Sequence, residues 1–477
     1  MGLFADLPGD EGLPGPERRL AMIAVMTATA MAVLDGTIVN VALPSIARAL
    51  QQTAAATIWV ANGYLLAAAM TLVAFAALAS RVGFRALYAG GLAVFTLASL
   101  GCALSSSLAM LTAMRVLQGI GAAAMLSIGP AVYRVVFPTR LLGRILGLNA
   151  LLVAVATAVG PTLGGTLLSA LSWEWLFAIN VPLGLLSLVL ALKAIPHQRA
   201  ASGGPFDFAG ALLSALAMGA FILATDACAH LSTAAGRLST ACYGLLAVAA
   251  ALAFIWRQRR ARQPLLPLEL FASSRFSLAA LTSLASFVGQ GIAIICLPFL
   301  FQNAYGYSVF AAALLFTAWP IGIVLAAPQA GKLADRYPPA VLSTAGLAVL
   351  TLGLVLLALL PDHPQAWDIC WREFVCGVGF GLFQSPNNRE MLAHVSRELS
   401  GNASGVLAVV RTFGQCFGAA LVGITLSLYA SGEAALSAAE DAQAMRLTLW
   451  VAAAASGLAI ALSLSRIRAG ASRTRSA

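Results

Sequence analysis

A chain of 477 residues that is 60% hydrophobic and only 10% charged is not a water-soluble globule, in which about a quarter of the residues are charged. Its formal charge of +10, from 28 Lys and Arg against 18 Asp and Glu, needs no nucleic acid to explain it, because the basic residues gather in short loops as they do in a membrane protein facing anionic lipid. The seven cysteines (Cys102, Cys228, Cys242, Cys296, Cys370, Cys376, Cys416) form no close metal-ligand or redox pair, the four histidines (His197, His230, His363, His394) lie in or beside loops, and no phosphate-binding loop occurs, so a membrane enzyme or metal-based sensor is disfavoured.

Residues 1–19 hold Asp6, Asp10, Glu11 and Glu17 among glycines and prolines. They lack the basic and short apolar regions of a cleavable signal, so they are expected to form a cytoplasmic tail ahead of a retained first helix. Apolar runs then follow at 20–42, 57–79, 86–106, 108–131, 145–170, 174–195, 207–227, 239–256, 276–301, 308–329, 340–360, 367–388, 403–430 and 445–465. Each is long enough to cross about 30 Å of hydrocarbon as a helix rising 1.5 Å per residue, and too long for a barrel strand. The expected fold class is therefore an all-α polytopic membrane protein.

Charge placement supports this count of spans. With the N-terminus inside, about 22 of the 28 basic residues fall on the inner side, Arg48, Arg237 and Arg446 fall outside, and Arg115, Arg372 and Arg411 fall within spans. Both termini are thus expected in the cytoplasm. "LASRVGFRA" (78–86) also echoes "LADRYPPA" (333–340), each opening an inner loop. The echo divides the chain into a tail (1–19), a six-helix bundle (20–200), an inserted helix pair with a basic linker (201–275), a second six-helix bundle (276–466) and a tail (467–477). A transporter with its site between two parallel repeats has this plan.

Several stretches carry a family resemblance. "LDGTIVNVALPSI" (34–46), "WVANGYLLAAAM" (59–70), "RVLQGIGAA" (115–123), "GPTLGG" (160–165) with "WEWLFAINVPLG" (173–184), "GKLADRY" (331–337) and "GNASGVLAVVRTFGQCFGAAL" (401–421) occur in the order found in the fourteen-helix drug:proton antiporters of the major facilitator superfamily, which the chain resembles over nearly its whole length. The resemblance implies proton-driven export of lipophilic or cationic drugs, no cofactor beyond the proton gradient, and for some relatives a periplasmic adaptor and outer-membrane channel. It also implies gating loops at Arg81, Gly83, Arg85 and at Gly331, Asp335, Arg336, and an antiporter motif at Gly160, Pro161, Gly164 and Gly165. The first loop departs from the family, with Ala76 and Ser80 where Gly and Asp are usual. Glu174 stands where Arg is common between two tryptophans, and Arg372 only loosely echoes Arg115.

The chemistry of the spans singles out Asp35 and Arg115. Asp35 lies about 22 Å along the first helix, and Arg115 about 12 Å along a helix running the other way, so their depths nearly coincide in a core of about 30 Å. An ionisable group at such depth faces a partner or a water path, and a carboxyl whose cation approaches and recedes can exchange a proton as the bundles rock. The competing role for Asp35 is to satisfy nearby backbone or Asn40 groups, and for Arg115 to brace neighbouring helices. Small residues around Pro161 permit close helix approach and a bend. Tyr64, Phe287, Gln290, Gln302, Phe316, Trp319 and Arg411 are the candidate substrate cavity, with Arg411 also able to serve as a structural, inward-snorkelling residue. An endogenous metabolite such as a siderophore or amino acid is the alternative cargo.

Overall fold

The computed structural model describes residues 3, 4, 6, 10–197, 206–261, 263–393, 395, 399–429 and 437–475. Arg199, Arg262, His394 and Arg397 lie outside the described residues, as do the side chains of Ser80, Arg468, Arg473 and Arg475. Regular structure among the described residues is entirely helical. Taking each membrane-length run as one element, the chain forms α1 (Gly15–Ala49), α2 (Ala54–Ala79), α3 (Phe84–Ala103), α4 (Leu108–Val136), α5 (Thr139–Ala170), α6 (Trp175–Ala194) and α7 (Phe208–His230). There follow α8 (Ala234–Arg260), α9 (Ser274–Ala304), α10 (Val309–Leu333), α11 (Pro339–Ala358), α12 (Ala366–Ala393), α13 (Gly401–Tyr429) and α14 (Ala438–Ile467).

Thirteen of these are long and apolar enough to cross a membrane, one fewer than the runs in the sequence suggest. The exception is α12, whose 28 residues span about 42 Å but carry Asp368, Arg372, Glu373, Arg389 and Glu390. It packs between α10 and α11, so its neighbours cover much of this polarity. The helices start where local chemistry directs them. Ser107, Asp207, Thr233, Ser273 and Ser308 each accept a hydrogen bond from a first-turn amide of the helix they precede.

The described residues ahead of α1 are tied to the bundle. Pro16 stands in the first turn of α1, which begins at Gly15, earlier than its apolar run. The Leu13 amide bonds the Val136 carbonyl (3.0 Å), Asp10 pairs with Arg140 (2.6 Å), and the buried Arg18 binds Asp6 (2.9 Å) and the Leu13 carbonyl (2.9 Å). The segment is strapped across the turn between α4 and α5.

Two groups of helices emerge from the packing. In one, α1 lies on α5 and α6 while α2 and α3 flank α4; in the other, α9 lies on α13 and α14 while α10 and α11 flank α12. They meet along α1–α9, α2–α13 and α5–α10. The pair α7–α8 stands apart, with α7 leaning on α2 and α13. In its most apolar stretch α9 is 89% buried and α8 only 11%, which puts α9 at the centre and α8 against lipid.

The two groups close on each other at the ends away from the chain termini. There Arg48 reaches Gln302 and Asn303 (3.4 Å each), Gln302 donates to the Val41 carbonyl (2.9 Å), and the Thr162 and Thr317 hydroxyls bond (2.7 Å). We refer to this as the far face and to the side carrying both termini as the basic face. A π-turn at Leu300–Ala304 follows Pro298, and α10 is interrupted at Thr317.

Candidate functional site: a buried ion pair and an open seam

The charged residues of α1 and α4 meet. Asp35 Oδ2 accepts from Arg115 Nη1 at 2.5 Å, and both side chains are essentially inaccessible, at 0% and 1%. Asp35 Oδ1 accepts from the side-chain amides of Gln118 (2.8 Å) and Asn180 (2.9 Å), the latter on α6. Arg115 also donates to Gln118 Oε1 (2.6 Å) and to the Val60 carbonyl on α2 (3.0 Å), and Gln118 bonds the Ser99 hydroxyl on α3 (2.9 Å). The guanidinium lies 4.3 Å from the Tyr64 ring centre and 5.6 Å from that of Phe177.

Five helices thus contribute to one cluster, and two of them, α4 and α6, reach the Asp35 carboxylate from outside its own helix. Charge and donors are matched within the cluster, which is the condition under which ions are tolerated at such burial. Asn40 takes no part, since its amide bonds the Gly36 carbonyl on its own helix (3.0 Å). The residues missed by the sequence reading are Gln118, Asn180 and Ser99. The first two lie inside the quoted stretches "RVLQGIGAA" and "WEWLFAINVPLG", and their polarity in an apolar span was the available signal.

The glycine-rich stretch of α5 packs beside this cluster. A Cβ on Gly160 would lie 2.0 Å from Thr37 Oγ1, and one on Gly164 3.0 Å from Ile38, two and three residues beyond Asp35 on α1. A Cβ on Gly165 would lie 2.4 Å from that of Ala313 on α10. Pro161 is buried among them. The stretch lets α5 touch both halves at once.

In the first loop Gly83 has φ of 92°, a conformation that glycine adopts without strain and that turns α2 into α3. Arg81 bonds the Ala77 carbonyl (2.7 Å) and Gln263 of the basic linker (2.9 Å), and Arg85 bonds the Leu192 carbonyl. In the second loop Asp335 pairs with Arg389 at 2.5 Å, Gly331 lies beside Ser385, and Arg336 is exposed. Arg372 pairs with Asp368 on its own helix (2.9 Å), so it does not reproduce the interhelical pair of Arg115. The neighbouring Glu373 is fully buried.

The cavity candidates separate. Tyr64 belongs to the Arg115 cluster, and Gln302 belongs to the far-face seam. Phe287, Phe316 and Trp319 are buried in the main hydrophobic cluster, Phe287 edge-on to Phe380. Gln290 accepts from Gln415 on α13 (3.0 Å). Arg411, one turn before Gln415, is exposed.

Comparison with known proteins places this geometry. The chain is 43% identical over 423 residues to the "Uncharacterized transporter YebQ" of Escherichia coli, covering 88% of this chain and 91% of that protein. It is 28% identical to the riboflavin transporter RibZ of Clostridioides difficile (85% and 87% covered), and 32% identical to the multidrug resistance protein Stp of Mycobacterium tuberculosis (86% and 76% covered). The model of the Major Facilitator Superfamily matches residues 25–419. With helix pairs of this arrangement around a central seam and a match over most of its length, the chain belongs to the major facilitator superfamily.

Proposed function

We propose that the protein is a proton-coupled exporter of amphipathic small molecules in a bacterial inner membrane, with both termini in the cytoplasm and no cofactor beyond the proton gradient. The observation that carries the reading is the fully buried Asp35–Arg115 pair, held by donors from α4 and α6 and flanked by the α5 glycines that join the halves. Proton uptake by Asp35 cancels its charge and leaves Arg115 with Gln118 and the Val60 carbonyl; proton release restores the pair. Because α1, α2, α4 and α6 all contribute contacts, that change of charge bears on how the first bundle packs against the second. The name of the relative Stp supports drugs as cargo, and the name of RibZ favours a second reading in which the cargo is an endogenous metabolite. An adaptor and outer-membrane channel remain part of the drug-export reading.

Proteoliposomes with an imposed pH gradient provide the test. Asp35→Asn is expected to abolish gradient-driven transport of a drug panel while the purified protein keeps the elution profile of the wild type. Undiminished coupled flux in that variant would remove Asp35 as the proton carrier.

A further inference from the structure

Arg411 differs from the other arginines within the spans. Arg115 is matched by Asp35, Arg372 by Asp368, and Arg466 by Asn387, Ser343 and Ser463. Among the described residues Arg411 has neither a hydrogen bond nor an ion pair. An arginine is never neutral in a protein, so its charge must be met by water or by an anion.

The neighbours of α13 fix the direction of this residue. Gly414 and Gly418 press on Leu284, Phe287 and Val288 of α9, Ala408 and Val409 pack with Ala68 and Leu72 of α2, and Phe413 and Phe417 meet Phe221 of α7. At 100° per residue Arg411 falls between the α9 and α2 sides, facing the seam between the bundles rather than lipid.

The same stripe of α13 reads 404, 411, 415, 422, 426, spaced seven and four. Val422 and Leu426 are buried, at 0% and 1%, toward the far face, whereas Arg411 and Ser404 are exposed toward the basic face. The seam is therefore shut above Arg411 and open below it. Arg411 sits about 15 Å along α13 from its basic end.

We propose that Arg411 recognises an anionic group on the transported molecule, so that the preferred cargo is an acidic or zwitterionic amphipath rather than a lipophilic cation. This rests on the reading of the chain as a transporter with its site between the bundles. The charge balance of the seam supports it: Asp35 is inaccessible and already paired, and Glu373 is sealed between α10 and α12, so neither offers a free negative charge to a cationic cargo. The Gln415–Gln290 pair supplies polar atoms one turn from the guanidinium. A planar fork of donors suits a carboxylate or sulfonate on an amphipathic body.

Fluorescein and rhodamine 123 share a xanthene body and differ in charge, so they separate the alternatives. Binding to the full-length protein in nanodiscs, read by fluorescence anisotropy without a pH gradient, is expected to favour fluorescein by about tenfold or more. Arg411→Gln should erase that preference by weakening fluorescein alone, and Arg411→Lys should retain part of it. Unchanged melting temperatures will show that both variants are folded. A wild type that fails to bind fluorescein, binds rhodamine 123 more tightly, or loses less than about twofold on Arg411→Gln overturns the proposal. Because no gradient is applied, failure of proton coupling at Asp35 leaves this measurement untouched and appears only in the flux assay.

Discussion

Asn180, on the helix that follows the α5 glycines, donates to the same Asp35 oxygen as Gln118 on α4. One carboxylate oxygen thereby ties α6 to α4 through α1. Replacing Asn180 with alanine removes one donor from a fully buried anion, for which hydrogen bonds to charged groups are worth about 1.5–3 kcal/mol. The expected outcome is a lower melting temperature in detergent and a loss of coupled flux. Asn180→Asp should be worse in both, because it places a second carboxylate against the first. An Asn180→Ala protein that matches the wild type in both assays would show the bond to be incidental.

Arg115 contacts five partners in different directions: Asp35, Gln118, the Val60 carbonyl and the Tyr64 and Phe177 rings. A lysine keeps the charge but cannot offer a planar fork to all of them. Arg115→Lys is therefore expected to be nearly as damaging to transport as Arg115→Gln, while retaining more stability. Losing one partner of a buried pair costs about 3–5 kcal/mol, so Arg115→Gln should be rescued in stability, though not in coupling, by adding Asp35→Asn. A double-mutant cycle on melting temperature checks this.

The ion pair was legible because charges are rare in apolar spans and helix geometry fixes their depth. Its neutral partners were not, since Gln118, Asn180 and Ser99 point toward Asp35 only by virtue of the rotation of their helices, which tertiary packing sets. The cavity was less legible still. An aromatic residue has the same apolar character in a packed core as on a cavity wall, and Phe287, Phe316 and Trp319 lie in the core. For α12, length indicated a span while Arg372 and Glu373 lowered its hydropathy; contacts with α10 and α11 now account for that polarity.

At the far face the Thr162 and Thr317 hydroxyls are 2.7 Å apart, and Gly165 lies against Ala313 and Val309. In a background lacking the seven native cysteines, the pair Thr162→Cys and Thr317→Cys is expected to crosslink on mild oxidation and stop transport, with recovery on reduction. Adding Gly165→Val should lower the crosslinking yield several-fold, because a Cβ there already overlaps α10. Equal yields with and without valine would place the close approach elsewhere.

Asp207 precedes α7 outside its membrane-spanning segment, and it binds Arg257 (2.6 Å), Gln258 (2.9 Å) and the Gly210 amide (2.9 Å), joining the basic ends of α7 and α8. Burial pushes its carboxyl upward, but the bonds from Arg257, Gly210 and Gln258 outweigh it and hold the group below its ordinary value of 3.8. A lowered value in the folded state means that the stabilisation is complete above that ordinary value. It fades as pH falls through the lower, folded one. Arg257 is 43% exposed, so solvent screens the pair and its contribution is about 1 kcal/mol. Asp207→Asn should accordingly lower the melting temperature by about 1 °C at pH 7, and the difference from wild type should shrink once the pH is taken below 3.8. Melting curves of both proteins across that range, in one detergent, decide the point: a gap that persists undiminished in acid would mean that Asp207 acts through shape and not through its charge.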